Sequence, residues 1–170
     1  NASTVDIYGV EGELTWILTE GLVINANLGY LDASYNDYDA DLNGDGIVTD
    51  NSDLDLRRTP DWTGGINATY SLNMGPGVFT AFAGYRYTDE YWVDTLNNPN
   101  GGLLDDRGVV DATLSYEWDW QEGRTVKITA FGRDITDERD YNSYVTVPGL
   151  LAFGAASGGE QYGVQISGNF

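Results

Sequence analysis

The last ten residues, 161–170, split into two lists when every second one is read. Tyr162, Val164, Ile166, Gly168 and Phe170 form one list; Gln161, Gly163, Gln165, Ser167 and Asn169 form the other. Side chains alternate between the two faces of a β-strand, so this stretch is a ribbon with one oily and one wet surface. At ~3.3 Å per residue it has the length a tilted strand needs to cross the hydrocarbon layer of a bilayer.

Six earlier segments repeat the pattern. Residues 5–18 set Tyr8, Val10, Leu14 and Trp16 against Glu11, Glu13 and Thr15. Residues 22–31 set Leu22, Ile24, Ala26, Leu28 and Tyr30 against Asn25, Asn27 and Gly29. Residues 62–72, 78–88, 107–118 and 124–133 alternate in the same way, and helical periodicity is absent throughout. The charged side chains Glu11, Glu13, Arg86, Asp111, Glu117, Lys127 and Arg133 all fall on the polar lists, and none is expected on the oily surface.

The connections alternate short and long. Turns near residues 19–21, 73–77 and 119–123 are brief; the stretches 32–58, 89–106 and 136–159 are long and rich in Asp, Asn and Gly. Outer-membrane barrels are built this way, with tight turns on the periplasmic side and extended loops outside. Aromatic residues gather where the two membrane boundaries would fall. Trp16, Phe79, Trp118 and Phe170 lie toward the short turns, and Tyr30, Trp62, Tyr85 and Tyr87 toward the long loops.

Composition excludes several classes. No apolar run approaches the roughly 20 residues of a spanning helix. There is no Cys and no His, so thiol chemistry, thiolate metal sites and most nucleophile–base pairs are absent. Glu11 and Glu13 share a face, but nothing marks a substrate cleft beside them, and the expectation is that the chain is not an enzyme. The glycine-rich stretch 152–159 lacks the Lys-Ser/Thr and helix of a phosphate cradle and reads as a flexible outer loop. A net charge of −19 repels a polyanion, which argues against nucleic acid as a partner. The chain opens on Asn1-Ala2-Ser3-Thr4 with no leader, as expected of a processed chain or a piece of a longer one.

The first long loop holds the sharpest local motif. From Asp32 to Asp61 there are nine Asp residues, which repel one another unless something neutralises them. Within this run, Asp41, Asn43 and Asp45 place oxygens on alternate residues, Gly46 stands where the chain must turn, and Ile47 offers a carbonyl. That is calcium-loop spacing. Ser52 occupies the usual twelfth-position acid, so Asp50 or Asp53 would have to stand in. A structural calcium ion is expected here.

Five stretches together carry a family likeness: Tyr8-Gly9-Val10-Glu11-Gly12-Glu13, Ala26-Asn27-Leu28-Gly29-Tyr30, Thr59-Pro60-Asp61-Trp62-Thr63-Gly64, Gly132-Arg133-Asp134-Ile135-Thr136-Asp137-Glu138, and Tyr162-Gly163-Val164 ending in Phe170. In this order they resemble the C-terminal barrel portion of TonB-dependent outer-membrane receptors. Family members often carry Asn where Asp134 stands, and an Arg where this chain has Glu160-Gln161. The resemblance implies that Phe170 is the terminal aromatic read by the barrel-assembly machinery. It also implies an N-terminal plug, a coupling box and a barrel of about 22 strands, of which residues 1–170 would be the last seven, with the plug absent. The implied partners are outer-membrane lipid, the other barrel strands and plug, and a periplasmic energy-coupling protein.

The expected fold is therefore all-β, an antiparallel up-and-down meander of about seven long strands forming part of a transmembrane β-barrel. The expected function is uptake of a scarce nutrient, such as a metal chelate, vitamin or glycan, in the outer membrane of a Gram-negative bacterium. The seven polar-face charges would then line the lumen. Two alternatives share the alternation: an acidic fragment whose edges pair with further copies into an extracellular calcium-stabilised fibre or tube, and a soluble calcium-dependent β-sandwich.

Overall fold

The computed structural model of the chain describes residues 3–98, 102–121, 123–138, 141–147 and 151–169. These form twelve strands and no helix: β1 (Ser3–Thr19), β2 (Leu22–Ala40), β3 (Thr49–Asp50), β4 (Trp62–Met74), β5 (Gly77–Thr88), β6 (Tyr91–Trp92), β7 (Leu103–Leu104), β8 (Arg107–Gln121), β9 (Arg124–Arg133), β10 (Tyr141–Val147), β11 (Leu151–Ala156) and β12 (Gln161–Asn169). The seven long strands lie in the order β1-β2-β4-β5-β8-β9-β12. Each is antiparallel to the next long strand in the chain, which makes the sheet an up-and-down meander. Its edges are β1 and β12, and the barrel wall is not closed by this chain.

Register keeps the two surfaces apart across the whole sheet. One row runs Leu14, Ala26, Ile66, Tyr85, Val110. Another runs Leu22, Tyr70, Ala81, Leu114, Ala130, Val164. Between them lies Trp16, Ile24, Ala68, Ala83, Ala112, Gly132, Tyr162. All three rows are apolar or aromatic, and the rows of the opposite face are mainly polar. Val110, Leu114, Tyr116 and Ile166 share this face.

Among the described residues most of that face is uncovered, the exception being Gly132, against which Ile135 packs. Leu114 is 53% exposed, Val164 71% and Ile166 72%. Among the described residues only Val93, Leu104 and Val109 are buried apolar side chains, and no side chain is completely enclosed. A soluble sandwich would bring Phe79, Leu114 and Val164 together in a core; here Leu114 and Val164 stand in one row of an uncovered surface. A continuous oily face of this extent needs a non-aqueous medium.

The rows also climb. The row that begins at Trp16, three residues before the end of β1, finishes at Tyr162, the second residue of β12. This stagger is what tilted barrel strands require. It means that a membrane plane cuts obliquely across the rows, so boundary aromatics step from strand to strand. Tyr30 touches Trp62 (ring centroids 4.7 Å apart) toward the long loops, and Tyr116 stacks on Trp118 (5.5 Å) toward the short turns.

Three sequence expectations change. β2 does not stop near Leu31 but continues through Asp32 to Ala40, inside the stretch 32–58 expected to be loop, paired first to Ser3–Tyr8 of β1 and then, at Asp39 and Ala40, to β3. The stretches 89–106 and 136–159 likewise contain the short β6–β7 and β10–β11 ladders. Asp6, opposite Ser34, sits on the same face as Tyr8 and Val10, so the oily face does carry a charge. The charge lies where β1 and β2 rise as a ribbon beyond the last β4 pair, Tyr30 with Trp62, and at the opposite margin Arg124, the first residue of β9, shares the face of Val126 and Ile128. Phe170 lies outside the described residues.

Residues after β9 fold back on β8. Asp134 adopts φ 51°, a left-handed conformation that Asp and Asn tolerate best among residues with a side chain. Its N–H donates to Asp111 Oδ1 at 2.9 Å, and the Ile135 N–H donates to the Val110 carbonyl at 2.8 Å. Thr136 Oγ1 donates to the Gly108 carbonyl at 2.9 Å. The other Asp111 oxygen pairs with Arg86 Nη1 at 2.9 Å, with the Arg86 side chain 67% exposed. Exposed pairs of this kind contribute about 0–1 kcal/mol, whereas a stranded buried N–H costs about 1–3 kcal/mol.

Two outcomes follow for the complete barrel. Val164→Arg places a guanidinium on the oily face and is expected to cost about 2–4 kcal/mol in bilayer folding titrations. Its neighbour Gln165→Arg, on the wet face, should change stability by less than about 0.5 kcal/mol; equal costs would mean that both faces meet one medium. Asp111→Ala is expected to cost about 1–3 kcal/mol in denaturant titration and Asp111→Asn, which keeps an acceptor for Asp134, much less. Equal losses would assign the stability to the Arg86 pair instead.

Candidate functional site

The chain offers two surfaces on which chemistry could act: the polar face of the sheet, and the layer of long loops at the end opposite the short turns. The polar face is built by register. Glu13 shares a row with Asn27, Gly65, Arg86 and Val109. Thr15, Asn25, Asn67, Gly84 and Asp111 form the next row, and Arg133 extends the same face. Glu11, Glu117 and Lys127 stand on it too, so the register brings all seven residues singled out from the sequence to one face.

Most of their charge is internally balanced. Arg86 pairs with Asp111, and Lys127 Nζ lies 3.6 Å from Glu117 Oε2 on the adjacent strand. The Arg133 guanidinium rests 5.2 Å from the centre of the Phe131 ring. Glu11 and Glu13, on edge strand β1, make no ion pair among the described residues. A polar ladder crosses three strands: Thr15 Oγ1 donates to Asn25 Oδ1 at 2.9 Å, and Asn25 Nδ2 to Asn67 Oδ1 at 3.2 Å. Two glycines on this face are covered by rings: a Cβ at Gly163 would lie 2.6 Å from Phe131, and one at Gly84 3.0 Å from Phe82. The rings restore the contact that a missing side chain forfeits.

In the first outer loop, Asp41 organises the backbone. Its Oδ1 accepts the Gly44 N–H at 2.7 Å and the Asp45 N–H at 3.2 Å, and Oδ2 accepts the Gly46 N–H at 2.8 Å. Gly44 and Gly46 take φ of 76° and 86°, which a side chain would resist. Asp45 Oδ1 accepts the Ile47 N–H, and its Oδ2 accepts Asn43 Nδ2. The Ser52 hydroxyl and N–H hold the Asp50 carboxyl below the usual carboxylate range. Asp53 lies further along the same loop. Among the described residues, no three acidic side chains converge as metal ligands.

The loops also meet one another. Trp92 Nε1–H donates to Asp55 Oδ2 at 2.9 Å, and Asn97 engages the Asp55 backbone. Beneath these contacts is a cavity of about 190 Å³ lined by Asp55, Asp61, Asp89, Glu90 and Trp92, among others. Above the rim, Tyr35 and Tyr38 stack at 4.6 Å. Burial pushes the Tyr35 phenol up, Tyr38 adds to the effect, and nearby Arg57 opposes it. Asp55, Trp92 and Asn97 carry no mark in the sequence that singles them out. Their partners lie about 40 residues apart in the chain, and no local pattern marks them.

Comparison with known proteins agrees with this architecture. A family described as TonB dependent receptor-like, beta-barrel, matches residues 1–135. Among solved structures, the ferric yersiniabactin uptake receptor FyuA from Yersinia pestis superposes with a TM-score of 0.76 at 16% identity, over 100% of this chain and 24% of that one. The siderophore receptor PiuA from Acinetobacter baumannii gives 0.70 at 18% identity, over 98% of this chain and 22% of that one. BauA, the ferric preacinetobactin receptor of the same organism, gives 0.71 at 14% identity with the same shares. The chain thus spans about a quarter of the length of these receptors. An open, staggered meander with one oily face is the shape that a part of their wall must have, and the match over most of its length places this chain in the TonB-dependent receptor family, as a segment of an outer-membrane β-barrel of Gram-negative bacteria.

Proposed function

We propose that this chain is the C-terminal part of the barrel of an energy-coupled receptor that imports a scarce nutrient, with a ferric siderophore as the favoured substrate. The observation that carries the reading is the sidedness of the sheet: an uncovered oily face on tilted strands, backed by a polar face whose charges are mostly paired. In a closed barrel the polar face lines the lumen, where Glu11, Glu13, Arg86, Asp111, Glu117, Lys127 and Arg133 meet water and the plug. The remaining barrel strands pair with β1 and β12, lipid covers the oily face, and a periplasmic coupling protein acts through the plug. The three solved receptors named above, all siderophore or ferric-chelate receptors by name, support that substrate class. Iron-starved cells carrying the intact receptor are expected to accumulate at least one ⁵⁵Fe-labelled hydroxamate or catecholate complex about tenfold faster than a deletion strain, and to stop when a protonophore is added. Uptake of none would remove the siderophore reading; uptake that survives the protonophore would remove energy coupling.

The first outer loop takes a calcium ion in the same reading. Support comes from the spacing of Asp41, Asn43, Asp45 and the Ile47 carbonyl, from the turn that Asp41 already holds around Gly44 and Gly46, and from the ionised state favoured for Asp50. Binding requires Asp50 or Asp53 to swing in and complete the shell. Limited proteolysis of the receptor in 1 mM calcium is expected to cut residues 41–53 about tenfold more slowly than in chelator, with the difference abolished by Asp41→Asn plus Asp45→Asn. Equal cutting with and without the ion would leave the loop an acidic turn.

A further inference from the structure

Outer loops one and two do not lie on the sheet as separate flaps. They come from different hairpins, yet Asn97 lays its carboxamide along the backbone of Asp55. The Asp55 N–H donates to Asn97 Oδ1 at 2.7 Å, and Asn97 Nδ2 donates to the Asp55 carbonyl at 3.1 Å. One side chain thereby takes the part of a neighbouring strand. The Asp55 carboxylate accepts Trp92 Nε1–H from the same loop, and the Arg58 N–H donates to the Trp92 carbonyl at 2.6 Å. Asn97 (φ 45°) and Arg58 (φ 59°) are both left-handed, a conformation that persists where surrounding bonds over-determine it. The described part of loop two is itself tied together: the Val93 N–H donates to the Gly102 carbonyl at 2.8 Å, and Val93 and Leu104 are the most buried apolar side chains of the described residues.

We propose that Asp55, Asn97 and Trp92 form a latch that ties outer loops one and two into a single lid over the strand ends, so that neither opens unless the latch is released and both are freed at once. The reason is cooperative. Lifting either loop breaks the same set of four bonds, so neither can open without releasing the other. A molecule that touches one loop is then felt by both.

Hydrogen exchange resolved to single amides in the intact receptor tests this without any transported ligand, so its outcome is separate from that of the uptake assay. The amides of Arg58, in loop one, and Val93, in loop two, are expected to exchange through one shared opening. Asn97→Ala touches neither bond directly, yet should accelerate both about tenfold, with β4 and β5 amides unchanged. Acceleration of the Asp55 amide alone, with Arg58 and Val93 unaltered, overturns the latch. Should Asn97→Ala disturb β4 and β5, Trp92→Phe decides: it keeps the ring, removes one donor, and must again accelerate Arg58 and Val93 together, an unpaired response overturning the proposal.

Discussion

A peptide group in hydrocarbon has no water to bond, and that single shortage shapes the chain. Each of the seven long strands gives its backbone groups to neighbours in an antiparallel ladder, which leaves side chains free to face two media. Sidedness then follows from the pleat. Because the rows stay in register from β1 to β12, a residue such as Leu114 cannot reach water without carrying Ala81 and Ala130 with it. The lack of a packed core among the described residues follows from the same arrangement, since the apolar surface is spread over one face of a single sheet rather than set against another layer.

The stagger of the ladder connects this wall to the loop layer. Rows that climb from the foot of β1 to the head of β12 tilt the strands, and tilt sets which residues sit at each boundary. It also lets β1 and β2, with 17 and 19 residues, stand well above β9 and β12, with 10 and 9. The surplus emerges as a ribbon bearing Asp6, Asp32 and the Tyr35–Tyr38 stack. On that ribbon the alternation rule lapses. The first two outer loops lie beside it, cross-linked through Asp55, so the tall side of the wall carries the ordered cap.

Period-two alternation made the strands legible because each face meets one medium along its whole length. β9 was bounded to the residue, since Arg124 and Arg133 flank an uninterrupted pattern. The upper half of β2 was not legible. Asp is disfavoured in strands, and Asp32, Asp37 and Asp39 mimic a loop until β1, and for Asp39 β3, supplies the pairing that overrides propensity. The β10–β11 hairpin left a signal that could have been used: Val145-Thr146-Val147, then Pro148-Gly149, then Leu150-Leu151. The charged residues of the polar face followed from parity alone, whereas the fold-back at Asp134 needed the structure, because its acceptor, Asp111, belongs to another strand.

Strand parity bears on what completes the wall. In a meander of seven, β1 and β12 run in the same direction, so joining them, whether within one chain or between copies set head to tail, puts a parallel pair into an antiparallel ladder. Copies could instead meet β1 to β1 about a two-fold axis perpendicular to the sheet. That contact is antiparallel and keeps the oily faces on one side, but it turns one copy upside down, sending its acidic loops to the opposite side of the bilayer. Neither arrangement suits a membrane with fixed sidedness. An odd number of strands from elsewhere in a longer chain satisfies both edges, the common orientation and the continuous oily belt together.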